Sequence, residues 1–312
     1  MIDIVSVSQN SMKGNKMALT EYSSTKQILI GLPGTGKTTF ISALWHLVES
    51  GELPGSLLLK ELHGDREYLN RIQGNWLNCE QPVRTLIQDE QIVSMRLLNP
   101  TNNSVTEIYL PDLSGETFRE QWNDRRWLKE YKALINGASG IILFIHPDEI
   151  VEPIRIDDAN KLTSVLEDGI NNFSNVSENN LDSDDFIEWD SSISPTQVKL
   201  VELLQFVHFY DTKNGNKSKK IAIVISAWDL VMIEKLSPRD WLMKRLPLLY
   251  QYIIANSNDV PYKIFGISAQ GGDLKEHKDK LLGYREQSQR IIVVQDNIQN
   301  HDLCAPIAWL ME

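Results

Sequence analysis

A run of glycine, lysine and threonine residues near position 35 has the spacing of a phosphate-binding loop. Residues 31 to 38 read Gly-Leu-Pro-Gly-Thr-Gly-Lys-Thr, which fits the pattern G-x-x-x-x-G-K-T. Glycines let the backbone curl until consecutive N–H groups point at an anion. Lys37 is expected to reach the β- and γ-phosphates of a nucleoside triphosphate, and the Thr38 hydroxyl to bind Mg²⁺. The predicted contact residues are Gly31, Pro33, Gly34, Thr35, Gly36, Lys37, Thr38 and Thr39.

The segments on either side of this loop are the ones that such a loop needs. An apolar strand is predicted at 27–30, and an amphipathic helix is predicted to begin at Lys37. The apolar face of that helix consists of Phe40, Ile41, Leu44, Trp45 and Val48. The positive end of the helix would add to the field that attracts phosphate. The sequence therefore predicts nucleoside triphosphate binding.

Strands and helices alternate along the rest of the chain. Further strands are predicted at 91–98, 105–110, 140–145, 221–226 and 262–267, with a possible edge strand at 290–294. Helices are predicted at 118–136, 195–210 and 238–256, and 50–79 is expected to be helical with loops. This alternation predicts an α/β fold with a mostly parallel central sheet that is covered on both faces. Ligands of such sheets lie beyond the carboxyl ends of the strands.

The predicted domain organisation is one enlarged domain. Residues 1–25 are polar and irregular and are expected to form an N-terminal extension, and 26–312 are expected to form the domain itself. An inserted helical and loop excursion is predicted at about 148–218, because 171–194 are rich in Asn, Ser and Asp, with an acidic run at 182–185.

Composition narrows the classes of partner. The formal net charge of −11, without a lysine and arginine cluster, argues against binding to nucleic acid. No window of eighteen apolar residues occurs, so no membrane span is expected, and the N-terminus does not resemble a signal peptide. The two cysteines, Cys79 and Cys304, have no metal-ligand spacing. A reducing cytoplasm is the expected location.

A second motif follows the strand at 105–110. Asp112 comes directly after this strand, where a carboxylate can hold the Mg²⁺ shell. Gly115, three residues later, can present its N–H to the γ-phosphate without a side chain in the way. An Asp-x-x-Gly pattern also describes many ordinary turns. Its place after a strand and downstream of a phosphate loop favours the switch element of GTPases.

Two further motifs follow the last core strands. The strand at 221–226 ends in Ser-Ala-Trp-Asp, where GTPases have Asn-Lys-x-Asp, and Asp229 is placed to accept the N1–H and N2 donors of guanine. Ser226 and Ala227 replace the asparagine and lysine, and Trp228 either covers the base or faces the core. The strand at 262–267 ends in Ser268, Ala269 and Gln270, similar to the Ser-Ala-Lys loop whose backbone contacts the guanine oxygen.

The first switch of a GTPase carries a threonine that binds Mg²⁺ and senses the γ-phosphate. Thr85 is the candidate, because it precedes the strand that is expected to run antiparallel to the strand before Asp112. Thr101 and Thr106 lie in a turn and a strand and fit less well. The alternative, that Thr85 is an ordinary surface residue at a strand entry, stays open.

Taken together, 31–39, 112–116, Asp229 and 268–270 resemble the translation-factor-related class of P-loop GTPases. Within it, the chain is similar to the bacterial double-GTPase family of conflict and defence gene clusters, because of Asp-Leu-Ser-Gly-Glu at 112–116, Ser-Ala-Trp-Asp at 226–229, the tryptophan-containing helix after Glu116 and the closing 305–310. The resemblance implies a three-layer P-loop GTPase fold, Mg²⁺ with GTP or GDP as ligands, and a protein partner that is a second GTPase-like protein or an effector.

The hydrolytic step is the least determined part of the sequence. Ras-like proteins align the attacking water with a glutamine at the position that Glu116 occupies here. Glu116 would act as a general base, or it would cap the following helix, where negative charge is favourable by about 0.3–1 kcal/mol. Arg119, Arg125 and Arg126 follow; one of them could be an internal arginine finger, but a solvated helix face is favoured.

Three functions are compatible with these residues. The first is a GTP-binding switch with slow hydrolysis that controls assembly with a partner, and the intact Lys37, Thr38 and Asp112 favour it. The second is an ATP-hydrolysing P-loop protein, which would need consecutive acids at the end of an apolar strand, and none occur there. The third is a pseudo-GTPase scaffold, favoured by Glu116 and by the altered base motif.

Overall fold

The central element of the fold is one mixed sheet. The computed structural model describes residues 24–81, 92–111, 122–153, 194–215 and 218–312, and in them the sheet has nine strands in the order β2-β3-β4-β1-β5-β6-β7-β8-β9. The strands are β1 (Ser24–Gly31), β2 (Leu58–His63), β3 (Ile92–Leu98), β4 (Val105–Pro111), β5 (Gly140–Ile145), β6 (Lys220–Ile225), β7 (Tyr262–Ser268), β8 (Ile292–Gln295) and β9 (Ile298–Asn300).

The middle of the sheet is parallel. β1 lies between β4 and β5 and is parallel to both, with Ile28 opposite Tyr109 on one side and Ile141 on the other. β6 and β7 continue the parallel pairing, whereas β2, β3, β8 and β9 pair antiparallel. The carboxyl ends of the five parallel strands therefore lie side by side at one end of the sheet. The loops after β1, β4, β6 and β7, which carry the predicted motifs, begin at that end.

Helices cover both faces of the sheet. They are α1 (Lys37–Ser50), α2 (Arg66–Leu77), α3 (Lys129–Gly137), α4 (Thr196–Asn214), α5 (Pro238–Arg245), α6 (Pro247–Ala255), α7 (Lys278–Leu282) and α8 (Ala305–Met311). Two apolar cores result, because side chains alternate across a strand. Leu29 of β1 packs with α1, α2 and α8, and its neighbours Ile28 and Ile30 pack with α3 to α6. The predicted three-layer α/β fold with a mostly parallel sheet is confirmed.

Several predicted elements are corrected by the structure. The segment 50–79 contains a strand, β2, before its helix; β2 was missed because it is an edge strand with a register shift between Leu59 and Glu61. The helix predicted at 238–256 is divided at Leu246, since Pro247 lacks the N–H that a continuous helix requires and begins α6 instead. The strand at 290–294 is not an edge, because β9 pairs with it.

The helix predicted at 118–136 is shorter where the structure describes it. A helical turn at 122–124 is followed by Arg125 with a φ of 50°, a left-handed conformation that ends the turn. α3 then begins at Lys129. Residues 112–121 lie outside the described part of the chain.

The predicted insertion at 148–218 contains a core element. α4 contributes Leu200, Leu204 and Val207 to the core on its face of the sheet, and it connects β5 to β6. Residues 154–193 lie outside the described residues, as does most of the predicted N-terminal extension. The domain limits therefore stay a prediction.

The last helix closes the edge of the sheet where the parallel strands begin. α8 lies against β1, β5 and β6. The buried side chain of Gln27 donates through Nε2 to the carbonyl oxygen of Ile307, 3.0 Å away. Gly140 starts β5 directly under Leu310, where a β-carbon would lie 3.2 Å from the leucine side chain. α8 is thus an integral part of the core on its face of the sheet.

Candidate functional site

The predicted phosphate loop connects the carboxyl end of β1 to the first turn of α1. Gly36 precedes α1 with φ 80° and ψ 12°, a left-handed conformation that favours glycine. At Gly31, a β-carbon would lie 2.9 Å from the carbonyl oxygen of Phe144 in β5. No described side chain caps α1, and its first turn carries no acid. The N–H groups and the positive end of this helix are therefore available to an anion.

The Lys37 ammonium lies across the loop. Its Nζ donates to the carbonyl oxygens of Gly31 at 3.0 Å and Leu32 at 2.8 Å. The Thr35 hydroxyl also donates to the Leu32 carbonyl, at 2.8 Å. These acceptors are neutral, and an ammonium group bonds more strongly to charged phosphate oxygens. The geometry allows Lys37 to exchange loop carbonyls for a phosphate.

A small cleft beside the loop brings Tyr131 to the site. Gly31, Pro33, Lys37, Pro111 and Tyr131 are among the residues that line it. Pro111 is the last residue of β4, directly before Asp112. Burial raises the pKa of the Tyr131 hydroxyl, so this group stays a protonated donor. Sequence reasoning missed Tyr131; the available signal was its four-residue spacing from Trp127, with which it stacks edge-on.

Ser226 joins the turn after β6 to the phosphate loop. Its N–H and its hydroxyl donate to the carbonyl oxygen of Ile145, at 2.8 and 3.1 Å. Its side chain lies against Gly36, where a β-carbon would come within 3.3 Å of the serine Cβ. Ser226 thus fixes the turn that carries Asp229 directly beside the phosphate loop.

Trp228 lies in the core. Its side chain is 2 % exposed and meets Trp241 edge-on, with ring centroids 6.4 Å apart. The ring also covers Gly266 of β7, where a β-carbon would come within 2.3 Å of Cδ2. Of the two alternatives for Trp228, a base cover or a core residue, the structure favours the second. It leaves almost no surface of the indole for a base.

Asp229 remains at the surface of the same turn. Trp228, Asp229 and Leu230 form a single 3₁₀ turn, which begins after Ala227 with φ 44° and ψ 44°. This left-handed conformation is uncommon for alanine and marks a constrained position. Asp229 is half-buried, and within the described residues its carboxylate has no hydrogen bond or ion pair. It is available to a donor such as a guanine base.

The loop after β7 begins with Ser268 and Ala269, both buried. The Ser268 hydroxyl accepts the N–H of Gly271 at 2.9 Å, which closes the loop into a turn. The side-chain nitrogen of Gln270 is buried and has no partner among the described residues. Buried donors are nearly always paired in folded proteins, so a ligand is one explanation for this amide. Gln270 occupies the position of the lysine in the Ser-Ala-Lys pattern.

Two residues that the sequence did not single out hold this loop from behind. The Trp76 indole N–H of α2 donates to the Ala269 carbonyl at 2.9 Å, and both groups are buried. The Arg290 guanidinium lies over the Trp76 ring, 3.8 Å from its centroid, and donates to the Trp76 carbonyl and to Cys79 Sγ. Arg290 is 2 % exposed. We call Trp76 and Arg290 the clamp.

Glu52 connects the end of α1 to the turn before Arg290. Its carboxylate accepts the N–H of Ser288 at 2.8 Å and approaches His46 Nε2 at 2.7 Å. Burial acts to raise the pKa of Glu52, but the hydrogen bonds from Ser288 and His46 outweigh it and hold the pKa below its ordinary value.

This lowered pKa predicts an acid-sensitive contribution to stability. The folded state binds the Glu52 proton less tightly than the unfolded chain, so the contribution is complete above the ordinary carboxyl pKa of 4.5 and is lost as pH falls through the lower folded value. Thermal unfolding of the parent and of Glu52→Gln should therefore differ at pH 7 and converge in acid. An equal difference at every pH would contradict the assignment.

Another acid lies against the phosphate loop. The Glu149 carboxyl carbon is 3.2 Å from the place where a β-carbon of Gly34 would be. Glu149 ends a short 3₁₀ turn after β5, and its carbonyl oxygen accepts the Thr196 hydroxyl of α4 at 3.3 Å. Sequence reasoning missed this residue because no motif marks the loop after β5.

Four predicted site residues, Asp112, Gly115, Glu116 and Thr85, lie outside the described residues, so their roles stay predictions. Of the arginines, Arg125 is exposed and pairs with Glu202 of α4 at 3.4 Å. The phosphate loop, the Asp229 turn and the loop at Ser268 all follow the carboxyl ends of parallel strands, so the described site residues lie at the same end of the sheet.

A comparison with protein families adds to this geometry. The model of the family described as double-GTPase 1 matches residues 28–310, from the middle of β1 to the end of α8. The chain belongs to this family. Membership in the double-GTPase family makes it a GTPase-type P-loop protein, and it confirms the family that the motifs at 31–39, 112–116 and 226–229 resemble. No curated protein matches the chain.

Across the described residues, every helix is too short or too polar to cross a membrane.

Both cysteines, Cys79 and Cys304, are buried, and neither forms a disulfide. Burial raises the pKa of the Cys304 thiol to about 12, so this thiol stays protonated at neutral pH.

Proposed function

We propose that this double-GTPase domain is a nucleotide-dependent switch. It binds Mg²⁺ and GTP, hydrolyses GTP slowly to GDP, and controls assembly with a protein partner in a bacterial defence or conflict system. The observation that carries the proposal is the packing of Ser226 against Gly36, since it sets the predicted base-reading turn beside the predicted phosphate loop.

The phosphate side of the site suits a magnesium-bound triphosphate. The uncapped start of α1 and the Lys37 ammonium supply positive charge. Thr38, half-buried in the first turn of α1, and Asp112, directly after Pro111 at the cleft, would hold Mg²⁺, with Thr85 as a third ligand. The ion would offset the charge of the β- and γ-phosphate oxygens.

The base side of the site suits guanine. Asp229 has an unoccupied carboxylate, a charge-assisted acceptor for the N1–H and N2 donors that adenine lacks. Ser268 and Ala269 belong to a closed backbone turn at the end of β7, the strand that neighbours the one before Asp229. Gln270 adds a buried amide donor. These groups together favour guanine over adenine.

Hydrolysis is assigned to the segment after β4. Gly115 would contact the γ-phosphate, and Glu116 would act on the attacking water as a general base. Because a carboxylate beside a triphosphate is electrostatically unfavourable, we expect slow turnover without a partner. The alternative role of Glu116 as a helix cap stays open.

The surface next to Asp229 supports a protein partner. The turn that follows it exposes Leu230, Met232 and Ile233, and the Ile233 side chain is 86 % exposed. Apolar side chains grouped on a surface are typical of contact sites between proteins. The family resemblance adds that the partner is a second GTPase-like protein or an effector.

Titration calorimetry with GTP and with ATP, each with Mg²⁺, tests the proposal. We expect GTP to bind about a hundredfold more tightly, equivalent to about 2.7 kcal/mol. Equal affinities would contradict base reading by Asp229 and would favour a general triphosphatase or a pseudo-GTPase scaffold. Binding without phosphate release over hours would favour the scaffold.

Asp229→Asn should change the base that is preferred. The asparagine side chain can donate to the 2-oxygen of xanthine, whereas it loses the charged acceptor for guanine. We expect GTP affinity to fall at least about tenfold and xanthosine triphosphate affinity to rise. Asp259→Asn removes the same charge from an exposed position and should leave both affinities unchanged. Unchanged GTP affinity in Asp229→Asn would exclude Asp229 as the base reader.

A further inference from the structure

The loop at Ser268–Gln270 is held by a hydrogen bond from a residue that is distant in sequence. Its middle carbonyl, that of Ala269, accepts the indole N–H of Trp76 from α2. The donor and acceptor are 193 residues apart in sequence and both are buried. Because a hydrogen bond at 2.9 Å is directional, it fixes the orientation of the peptide plane that follows Ala269. The N–H groups of this loop are the ones that would face the guanine 6-oxygen.

Trp76 is itself held in place. The Arg290 guanidinium stacks on its ring at 3.8 Å, donates to its carbonyl and donates to Cys79 Sγ at 3.0 Å. The Trp76 ring also lies near the His46 ring, with centroids 5.2 Å apart. Arg290 is a costly residue to bury, since a cation loses its hydration and one guanidinium nitrogen, Nε, finds no partner in the described residues. A role beyond packing would account for that cost.

The same arginine touches the loop from its other end. The Arg290 carbonyl oxygen lies where a side chain on Gly271 would be, 2.1 Å from the β-carbon position. Gly271 has a φ of 88° and donates its N–H to Ser268. The clamp therefore contacts the loop at two points, the Ala269 carbonyl and the Gly271 backbone, on either side of Gln270.

We propose that the clamp of Trp76 and Arg290 positions the loop at Ser268–Gln270 for recognition of the guanine 6-oxygen, and so sets part of the base specificity. This inference rests on the proposed function. Trp76 and Arg290 are positioning residues, since they act through the backbone of the loop. Asp229 reads the other edge of the base, at N1 and N2, from a separate turn. The two contributions to specificity are therefore separable.

Trp76→Phe tests the proposal with nucleotide analogues. Inosine triphosphate lacks only the 2-amino group of guanine and probes Asp229, whereas the triphosphate of 2-aminopurine riboside lacks both the 6-oxygen and the N1 proton. Because Asp229 is the same in the parent and in Trp76→Phe, a change in the preference for GTP over the 2-aminopurine analogue reports on the loop. In the parent, GTP should bind more tightly than either analogue. In Trp76→Phe, the preference for GTP over the 2-aminopurine analogue should fall at least about tenfold, while the preference over the inosine analogue should persist.

Trp45→Phe is the matched control. Trp45 is also fully buried on the same face of the sheet, and its indole N–H donates to the Asn70 side chain at 3.0 Å instead of to the loop. It undergoes the same chemical change and should leave both preferences unchanged. A similar fall of the 2-aminopurine preference in Trp45→Phe, or no fall in Trp76→Phe, would overturn the proposal.

Arg290→Met provides a second variant if Trp76→Phe does not fold. Methionine fills much of the volume of the arginine side chain without a buried charge. The variant removes the stacked guanidinium and leaves Trp76 unchanged. The same selective fall is expected, and a fall in both preferences together would contradict a role confined to the 6-oxygen. If the parent protein itself fails to prefer GTP over ATP, the proposed function fails, which is distinct from a failure confined to the variants.

Discussion

Lys37→Ala is expected to abolish detectable GTP binding. The ammonium group is the charged donor of the loop, and in the structure it is held by the neutral carbonyls of Gly31 and Leu32, which it can leave for phosphate oxygens. Without it, the loop keeps its N–H groups but loses its positive charge against a triphosphate. We expect a loss of at least about a hundredfold in affinity, measured by calorimetry with Mg²⁺ and GTP.

Folding should survive this replacement. Lys37 is half-buried, and the carbonyls that it contacts belong to a loop with exposed neighbours, Pro33 and Gly34, so water can replace the ammonium. The thermal unfolding midpoint of the nucleotide-free variant should stay close to that of the parent. Lys280→Ala, which removes an exposed lysine of α7, is the control for charge. GTP affinity in Lys37→Ala equal to that of the parent would refute the phosphate-loop assignment.

Gly266→Ala is expected to damage stability and nucleotide binding together. The added methyl carbon would lie 2.3 Å from Cδ2 and 2.7 Å from Cε2 of Trp228. The indole has little room to retreat, since it is buried against Trp241. Overpacking of this kind costs about 1–3 kcal/mol. Because Asp229 directly follows Trp228 in the same turn, displacement of the ring should also lower GTP affinity.

Two variants separate crowding from a general effect of alanine. Gly74→Ala adds a methyl group to α2, where no heavy atom beyond the chain neighbours and the backbone of the same helix lies within 4 Å, and should be neutral or slightly stabilising. Trp228→Phe, combined with Gly266→Ala, reduces the ring that the methyl group meets and should restore part of the lost stability. Calorimetric unfolding and GTP titration of the three variants provide the measurement. Equal stability of Gly266→Ala and the parent would contradict the position of Trp228.

The phosphate loop was predictable because its information is local. The strand before it, the glycines at the turn and the apolar face after Lys37 are all within 25 residues, and α1 begins at the predicted residue. The parallel strands β5, β6 and β7 were predictable for the same reason, since most of their residues are apolar. These elements follow from neighbouring residues with little help from the rest of the chain.

Elements at the periphery were less predictable. β2 has mostly exposed side chains and β9 has only exposed ones, so neither carries the alternation that reveals a half-buried strand. Both form because a neighbouring strand offers unpaired N–H and carbonyl groups. These unpaired groups exist only once the sheet has assembled, so the local sequence does not reveal them.

The base side of the site combines both cases. Asp229 follows a recognisable strand and motif, whereas the placement of Trp228 depends on the space that Gly266 leaves in another strand. Trp76 lies in the segment 50–79, which was expected to be helical with loops. Its indole N–H finds its acceptor 193 residues away, so a role at the base loop was invisible to periodicity.

The position of α8 has a consequence for how the domain is made. Gln27 near the start of the domain bonds to Ile307 near its end, 280 residues later, and Ile307 and Leu310 are buried in the core. A chain still emerging from the ribosome can form its phosphate loop early. It cannot cover the end of the sheet where the parallel strands begin until α8 is synthesised. Contacts this distant in sequence make folding slow. Until then, the nascent domain presents an open apolar surface of the kind that chaperones recognise.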